Sequence, residues 1–145
     1  MNRSKLFFPA LLCALLFTAP AFAQQVIKIA TLAPDGSAWM RELRKAGAEI
    51  QAGTQGRVQV KFYPGGVMGS DTVVLRKMRL GQLQGGVLTS SELGQVYPDA
   101  AIYSLPFLFD SWAQLDKTQP VIDPLLAKGF EAKGLKMLTV SNVGF

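Results

Sequence analysis

Val26-Ile27-Lys28-Ile29-Ala30-Thr31, followed at once by Leu32-Ala33-Pro34-Asp35-Gly36-Ser37-Ala38-Trp39, sets the architecture of this chain. A short apolar run, rich in β-branched residues, ends in Pro/Asp/Gly turn chemistry, and a helix-like segment follows. The same order of events recurs twice. Val58-Gln59-Val60-Lys61-Phe62-Tyr63 leads into Pro64-Gly65-Gly66-Val67-Met68-Gly69-Ser70-Asp71, and Gly86-Val87-Leu88 leads into Thr89-Ser90-Ser91-Glu92. Strands alternating with helical segments predict βαβ units and an α/β fold, a mostly parallel sheet flanked by helices. Ligands of such sheets collect in the crevice beyond the carboxyl ends of the strands, and all three loops fall there. The chain reads as built to hold something small.

The helices follow from spacing. Ser37 is a natural N-cap, and Met40, Leu43, Gly47 and Ile50 recur at three- and four-residue intervals with charged residues between them, an amphipathic helix ended by Gly53 and Gly56. The alternation of Val58, Val60 and Phe62 against Gln59, Lys61 and Tyr63 predicts a half-buried strand near a sheet edge. Ser70 or Asp71 caps a second helix with Val74, Leu75, Met78 and Leu80 apolar, stopped by Gly81. Beyond the turn at Tyr97-Pro98-Asp99, a helix capped by Asp110 or Ser111 runs through Leu115, and a second helical stretch covers Val121 to Phe130, punctuated by Pro124 and Gly129. Leu135 to Val140 reads as a fourth strand. The sequence then stops at Ser141-Asn142-Val143-Gly144-Phe145 without a closing helix, so a truncated domain is expected.

The first residues set the compartment. Arg3 and Lys5 precede an apolar run from Leu6 to Phe17, and Ala21-Phe22-Ala23 is a small-x-small cleavage site. The run is shorter than the roughly 20 residues a bilayer requires, so residues 1–23 read as a secretory signal peptide cleaved after Ala23. Cleavage removes Cys13, the one cysteine, and takes the formal charge from +5 to +3. The mature chain then has no disulfide and no thiol nucleophile, and the sequence contains no histidine, which excludes a Ser-His-Asp triad and the commonest zinc ligand. Arg76, Lys77 and Arg79 form a small basic group that reads as a solvated helix face and not as a nucleic-acid surface.

No glycine-loop nucleotide signature, nucleophile elbow or calcium-loop spacing occurs, so neither metal, cofactor nor catalysis is expected. Candidates for binding are better. Trp39 falls in the first turn of the first helix, where it either packs helix on sheet or faces the crevice. Asp71 sits at a loop–helix junction as a cap or a ligand contact, accepting from ligand hydroxyl or amine groups. Thr89, Ser90 and Ser91 end a strand with three hydroxyls, with Glu92 next; Thr89 and Ser90 are expected to donate to ligand oxygens, a polar turn being the alternative. Leu105-Pro106-Phe107-Leu108-Phe109 reads as core, with Phe107 the residue placed to reach a cleft.

Residues 30–39, Phe62 to Gly69, Gly81-Gln82-Leu83, Tyr97-Pro98 and Leu105 to Phe109, in this order behind a signal peptide, closely resemble the solute-binding proteins of tripartite ATP-independent periplasmic (TRAP) transporters, the DctP-type family. The resemblance covers Val26 to Phe145. It implies a periplasmic binding protein-like fold (class II-type) of two lobes that close on a small carboxylate, such as a dicarboxylate or sugar acid. The receptor would deliver it to a small four-helix membrane subunit and a large permease. On this likeness, residues 24–145 are the first lobe with the lead-in to an incomplete second. First-lobe contacts would come from Leu32, Ala33 and Asp35, from Asp71, and from Thr89, Ser90 and Glu92. The family's carboxylate-clamping arginine commonly follows a Gly-Phe pair, and Gly144-Phe145 is where this sequence stops. The rivals are a receptor of the same shape serving an ATP-driven importer or sensor, and an exported α/β enzyme.

Overall fold

The computed structural model describes residues 24–142. The signal-peptide segment and Gly144-Phe145 lie outside the described residues. Strand β1 (Gln25–Thr31) leads to helix α1 (Ala38–Gly53), strand β2 (Val58–Tyr63), helix α2 (Asp71–Arg79), strand β3 (Gly85–Val87) and the short helix α3 (Ser90–Leu93). A 3-10 helix over Pro98–Ser104 and the long helix α4 (Trp112–Glu131) complete the order.

The three strands form one parallel sheet in the order β2-β1-β3. With β1 in the middle, β2 and β3 are the edges of this sheet, and the burial of β2 alternates as expected of a half-buried edge strand. Ile29 pairs with Phe62 and Ala30 with Tyr63, so successive residues serve opposite faces. On one face Phe62 and Val60 pack closely against Gly47 of α1. On the other, buried Ala30, Val74 and Leu83 form a core with Tyr63, Met68, Met78 and Leu88. Gly86 allows this closeness: a Cβ there would stand 2.9 Å from Val74 Cγ1. Gln84 extends the β1–β3 pairing by one step, its side-chain oxygen accepting from Lys28 N–H while its own N–H donates to Lys28 O.

A second core joins Ala100, Leu126 and Phe130 with Leu93, Val96, Tyr97, Ile102, Tyr103, Ile122, Leu135 and Met137. It revises three sequence expectations. Leu135 to Val140 forms no strand, because Leu135 and Met137 are drawn over this core while Leu138 faces solvent; without a paired neighbour the segment stays irregular. The two expected helices are one, running through Pro120 and Pro124. Both prolines are exposed and four residues apart, hence on one face, so the carbonyls they leave without N–H donors are open to water. Leu105, Phe107 and Leu108 are exposed and not core; Phe109 alone of the segment's aromatics tucks in, stacking on Tyr103 at 6.1 Å.

Tyr103 Oη donates to Asp123 Oδ1 at 2.5 Å. Burial, then this bond, then the charge of Asp123 push the phenol well above its ordinary value. A raised phenol contributes stability that is complete below the ordinary tyrosine pKa and lost only as pH climbs through the higher folded one. Tyr103→Phe is therefore expected to lower stability by about 1 kcal/mol, by the same amount from pH 6 to 9. Melting curves across that range test it; a deficit that changes within the window would mean another group is titrating.

Candidate functional site

The carboxyl ends of β1, β2 and β3 come together at one end of the sheet, each followed by a loop that the sequence singles out. Thr31, buried at the end of β1, accepts the N–H of Ala33 on its hydroxyl at 3.1 Å, which turns the chain sharply. The loop after β2 is tied to this turn: Gly65 N–H donates to Ala33 O at 2.8 Å and Gly66 N–H to Thr31 O at 3.1 Å. Gly66 has φ +73°, a conformation that disfavours any side chain, and Leu32 lies over it, 3.3 Å from where a Cβ would stand. Leu32 stays 46% exposed. Ser37 caps α1 as expected, its Oγ accepting from Met40 N–H at 3.2 Å, and Trp39 in the first turn remains partly open to solvent.

Asp71 departs from the capping expectation. Ser70 occupies the N-cap position of α2 with no side-chain cap bond, and Asp71 turns away to β3. Its Oδ2 accepts both the N–H and the hydroxyl of Thr89, each at 2.9 Å. Only 6% of Asp71 is exposed, and its Oδ1 is buried with no hydrogen-bond partner. Its place in the first turn of α2 is still favourable, since a negative charge complements the helix dipole there.

The residues around it interlock. Thr72 Oγ1 donates to Glu92 Oε1 at 2.6 Å, Ser91 Oγ donates to Thr89 Oγ1 at 3.3 Å, and Ser90 shares a short hydroxyl–hydroxyl bond with Ser104. Asp71, Thr89, Ser90 and Glu92 are thus brought together at the end of β3, and Leu32 and Ala33 at the end of β1. Asp35 points to Arg44 at 2.8 Å, an exposed pair contributing at most about 1 kcal/mol. Phe107 is 97% exposed and makes almost no contact. It also holds φ +60°, a strained position for a bulky residue.

Thr72 and Ser104 were not anticipated. No local pattern marks them, since their partners lie 20 and 14 residues away. Arg41, which donates to Gly36 O at 2.9 Å, and Lys77, which donates to Met68 O at 2.9 Å, hold the first two loops from behind. Among the described residues no group of His, Cys, Asp or Glu is arranged to hold a metal ion. An open groove of about 290 Å³ between α1 and β2 lies away from the strand ends.

Residues 29–145 match the family described as bacterial extracellular solute-binding protein, family 7. The C4-dicarboxylate-binding periplasmic protein DctP of Rhodobacter capsulatus is 30% identical over 141 residues, 91% of this chain and 40% of that protein. Two crystal structures of TRAP periplasmic solute-binding proteins share the fold. One, from Sulfitobacter sp. NAS-14.1 with bound β-D-galacturonate, has TM-score 0.68 and 25% identity over 75% of this chain and 37% of that one. The other, from Polaromonas sp. JS666 bound to D-erythronate, has TM-score 0.71 and 25% identity over 78% of this chain and 38% of that one. The chain spans about two fifths of the length of these relatives.

Proposed function

The chain belongs to bacterial extracellular solute-binding protein family 7, and from that premise we propose that it is the first lobe of a periplasmic receptor for a small organic acid. The observation that carries this reading is the convergence of three loops at the carboxyl end of a parallel sheet, hydrogen-bonded to one another through Gly65, Gly66, Asp71 and Thr89. Such an end is where α/β folds hold ligands, and here hydrogen bonds tie its loops together. The receptor binds and releases; it catalyses nothing. A second lobe closes over the ligand, and the loaded receptor delivers it to a TRAP-type permease and its small four-helix subunit. Titration calorimetry of the full-length receptor against C4-dicarboxylates, aldonates and uronates is expected to find micromolar or tighter affinity, about 8 kcal/mol, for at least one. Binding to none of them would overturn the reading.

Export follows from the N-terminal pattern. The protein recovered from the periplasm is expected to begin Gln24-Gln25-Val26-Ile27 by N-terminal sequencing, after cleavage behind Ala23. A mature protein that retains Leu6 to Phe17 would place it on the membrane instead.

A further inference from the structure

The outer edge of β2 has no neighbouring strand. In a parallel ladder every second residue of an edge strand turns its N–H and C=O away from the sheet. Arg57 O accepts from Gln25 N–H at 2.8 Å, so the odd-numbered residues of β2 serve β1, and Val58, Val60 and Phe62 turn outward. Thr54 occupies the first of these positions, its Oγ1 accepting from Val58 N–H at 3.1 Å. The outward N–H and C=O groups of Val60 and Phe62 have no partner among the described residues.

The two faces beside this edge differ. On the α1 side the groove has an apolar floor: a Cβ at buried Gly47 would stand 3.1 Å from the Phe62 ring and 3.5 Å from Val60 Cβ, and Ala48 continues the surface. Arg44, at the rim, is paired with Asp35. On the opposite face Lys61 is exposed and in register with Lys28 of β1, its Nζ 5.3 Å from the centre of the Tyr63 ring. Neither lysine joins an ion pair among the described residues, whose two pairs are Arg44–Asp35 and Lys136–Glu131. No acidic residue occurs between Glu49 and Asp71, and α2, which packs on this face through Val74, ends in Arg76, Lys77 and Arg79. The edge is therefore apolar on one side and positive on the other.

We propose that this edge is a docking site for an extended segment of a partner protein in which apolar and acidic residues alternate. The added strand takes the N–H and C=O groups of Val60 and Phe62; in this mode main-chain bonds supply affinity and alternate side chains supply selectivity. Its side chains on one face drop into the groove over Gly47, Ala48 and Phe62. Those on the other stand beside Lys61, where a carboxylate is matched and an ammonium is repelled. The same charge disfavours a second copy of this chain. Pairing two β2 edges antiparallel about a two-fold axis through Val60 and Phe62 sets Lys61 opposite its own copy or one diagonal step from it, and like charges at that spacing repel. The groove lies away from the strand-end loops, so a bound acid and a bound segment do not compete.

The test uses the full-length protein and two short, blocked, fluorescently labelled peptides, one alternating valine with glutamate and the other valine with lysine, read by anisotropy. The glutamate peptide is expected to bind at least roughly fivefold more tightly. Lys61→Glu, a change at an exposed side chain that leaves the backbone bonds of the ladder in place, should reverse that order. Val60→Pro deletes an outward N–H that β1 does not use, as a proline on an edge strand can, and should weaken the glutamate peptide about fivefold or more. Failure of the glutamate peptide to bind, equal binding of the two peptides, an order unchanged in Lys61→Glu, or full affinity in a folded Val60→Pro variant overturns the inference. A dimer in sedimentation that Val60→Pro dissolves overturns it as well, because the edge would then belong to a second copy.

Discussion

Gly129→Ala is expected to destabilise the part of the chain built on α4, although alanine is the better helix former. A Cβ at residue 129 would stand 2.3 Å from Tyr97 Cε1 and 2.4 Å from Cζ, far inside contact distance. An exposed ring would swing aside. This one is held by an edge-to-face contact with Phe130 at 5.8 Å and by its hydroxyl, which donates to Asp99 Oδ2 at 2.6 Å. The added methyl must therefore push on the second core through Phe130, whose own exposure is only 3%. Overpacking of this kind costs about 1–3 kcal/mol and occasionally more, against a gain of about 1 kcal/mol from helix propensity. The steric effect wins, and the melting temperature should fall by about 5 °C or more. The decisive control is the same substitution in a Tyr97→Ala background. With the ring gone only propensity remains, so Gly129→Ala should there raise the melting temperature. The same sign in both backgrounds would mean that Tyr97 does not set the requirement for glycine.

The contrast between what the sequence foretold and what the structure contains has a physical pattern. β1, α1, β2 and α2 were legible because their determinants are local. Ser37 caps three residues ahead, Gly81 takes φ +71° just past α2, and the alternation of β2 states its own edge position. The third strand lies one residue earlier than expected, at Gly85–Val87, because pairing with Ile29 to Thr31 of β1 fixes its register and apolarity alone does not. Where partners lie far along the chain the reading failed. Leu135 to Val140 has the composition of a strand, but composition does not supply a neighbouring edge, and Leu135 and Met137 follow the apolar surface of α4 instead. Asn142, at the limit of the described residues, is tied back to Gln119 of the same helix by a reciprocal amide pair at 3.3 and 3.5 Å. Leu105 to Leu108 looked like core because hydrophobicity says nothing about whether a surface is covered.

The candidate site divides in the same way. That Asp71 and residues 89–92 lie together followed from strand–loop order; that their side chains bind each other, eighteen and twenty residues apart, did not. This difference changes their chemistry. Thr89 was expected to donate to a ligand; in the structure its hydroxyl donates to Asp71 Oδ2. Asp71 was expected to cap α2 or touch the ligand; in the structure its Oδ2 holds the loop after β3 through both bonds to Thr89.

Asp71→Ala is accordingly expected to affect stability and affinity together, and by more than the loss of a helix cap. It removes two hydrogen bonds to a charged acceptor, each contributing about 1.5–3 kcal/mol, and frees Thr89 at the junction of β3 and α3. Part of that loss is offset, because the carboxylate keeps Oδ1 buried without a partner, and its removal relieves a desolvation cost. The net loss should be about 2–3 kcal/mol. A residue acting only through the helix dipole would cost about 0.3–1 kcal/mol and would be indifferent to Thr89. A double-mutant cycle separates the two roles. Thr89→Val keeps the backbone N–H bond to Asp71 and deletes the hydroxyl bond, so Asp71→Ala and Thr89→Val should be less than additive by about 1–2 kcal/mol. Strict additivity would return Asp71 to the part of a helix-terminal charge. Under the proposed function the same change in the full-length receptor should weaken binding of the acid, since it frees the loop that carries Ser91 and Glu92. Asp71→Asn keeps an oxygen for Thr89 and should retain most of the affinity, so a loss equal to that of alanine would show that the charge, and not the anchoring bond, organises this loop.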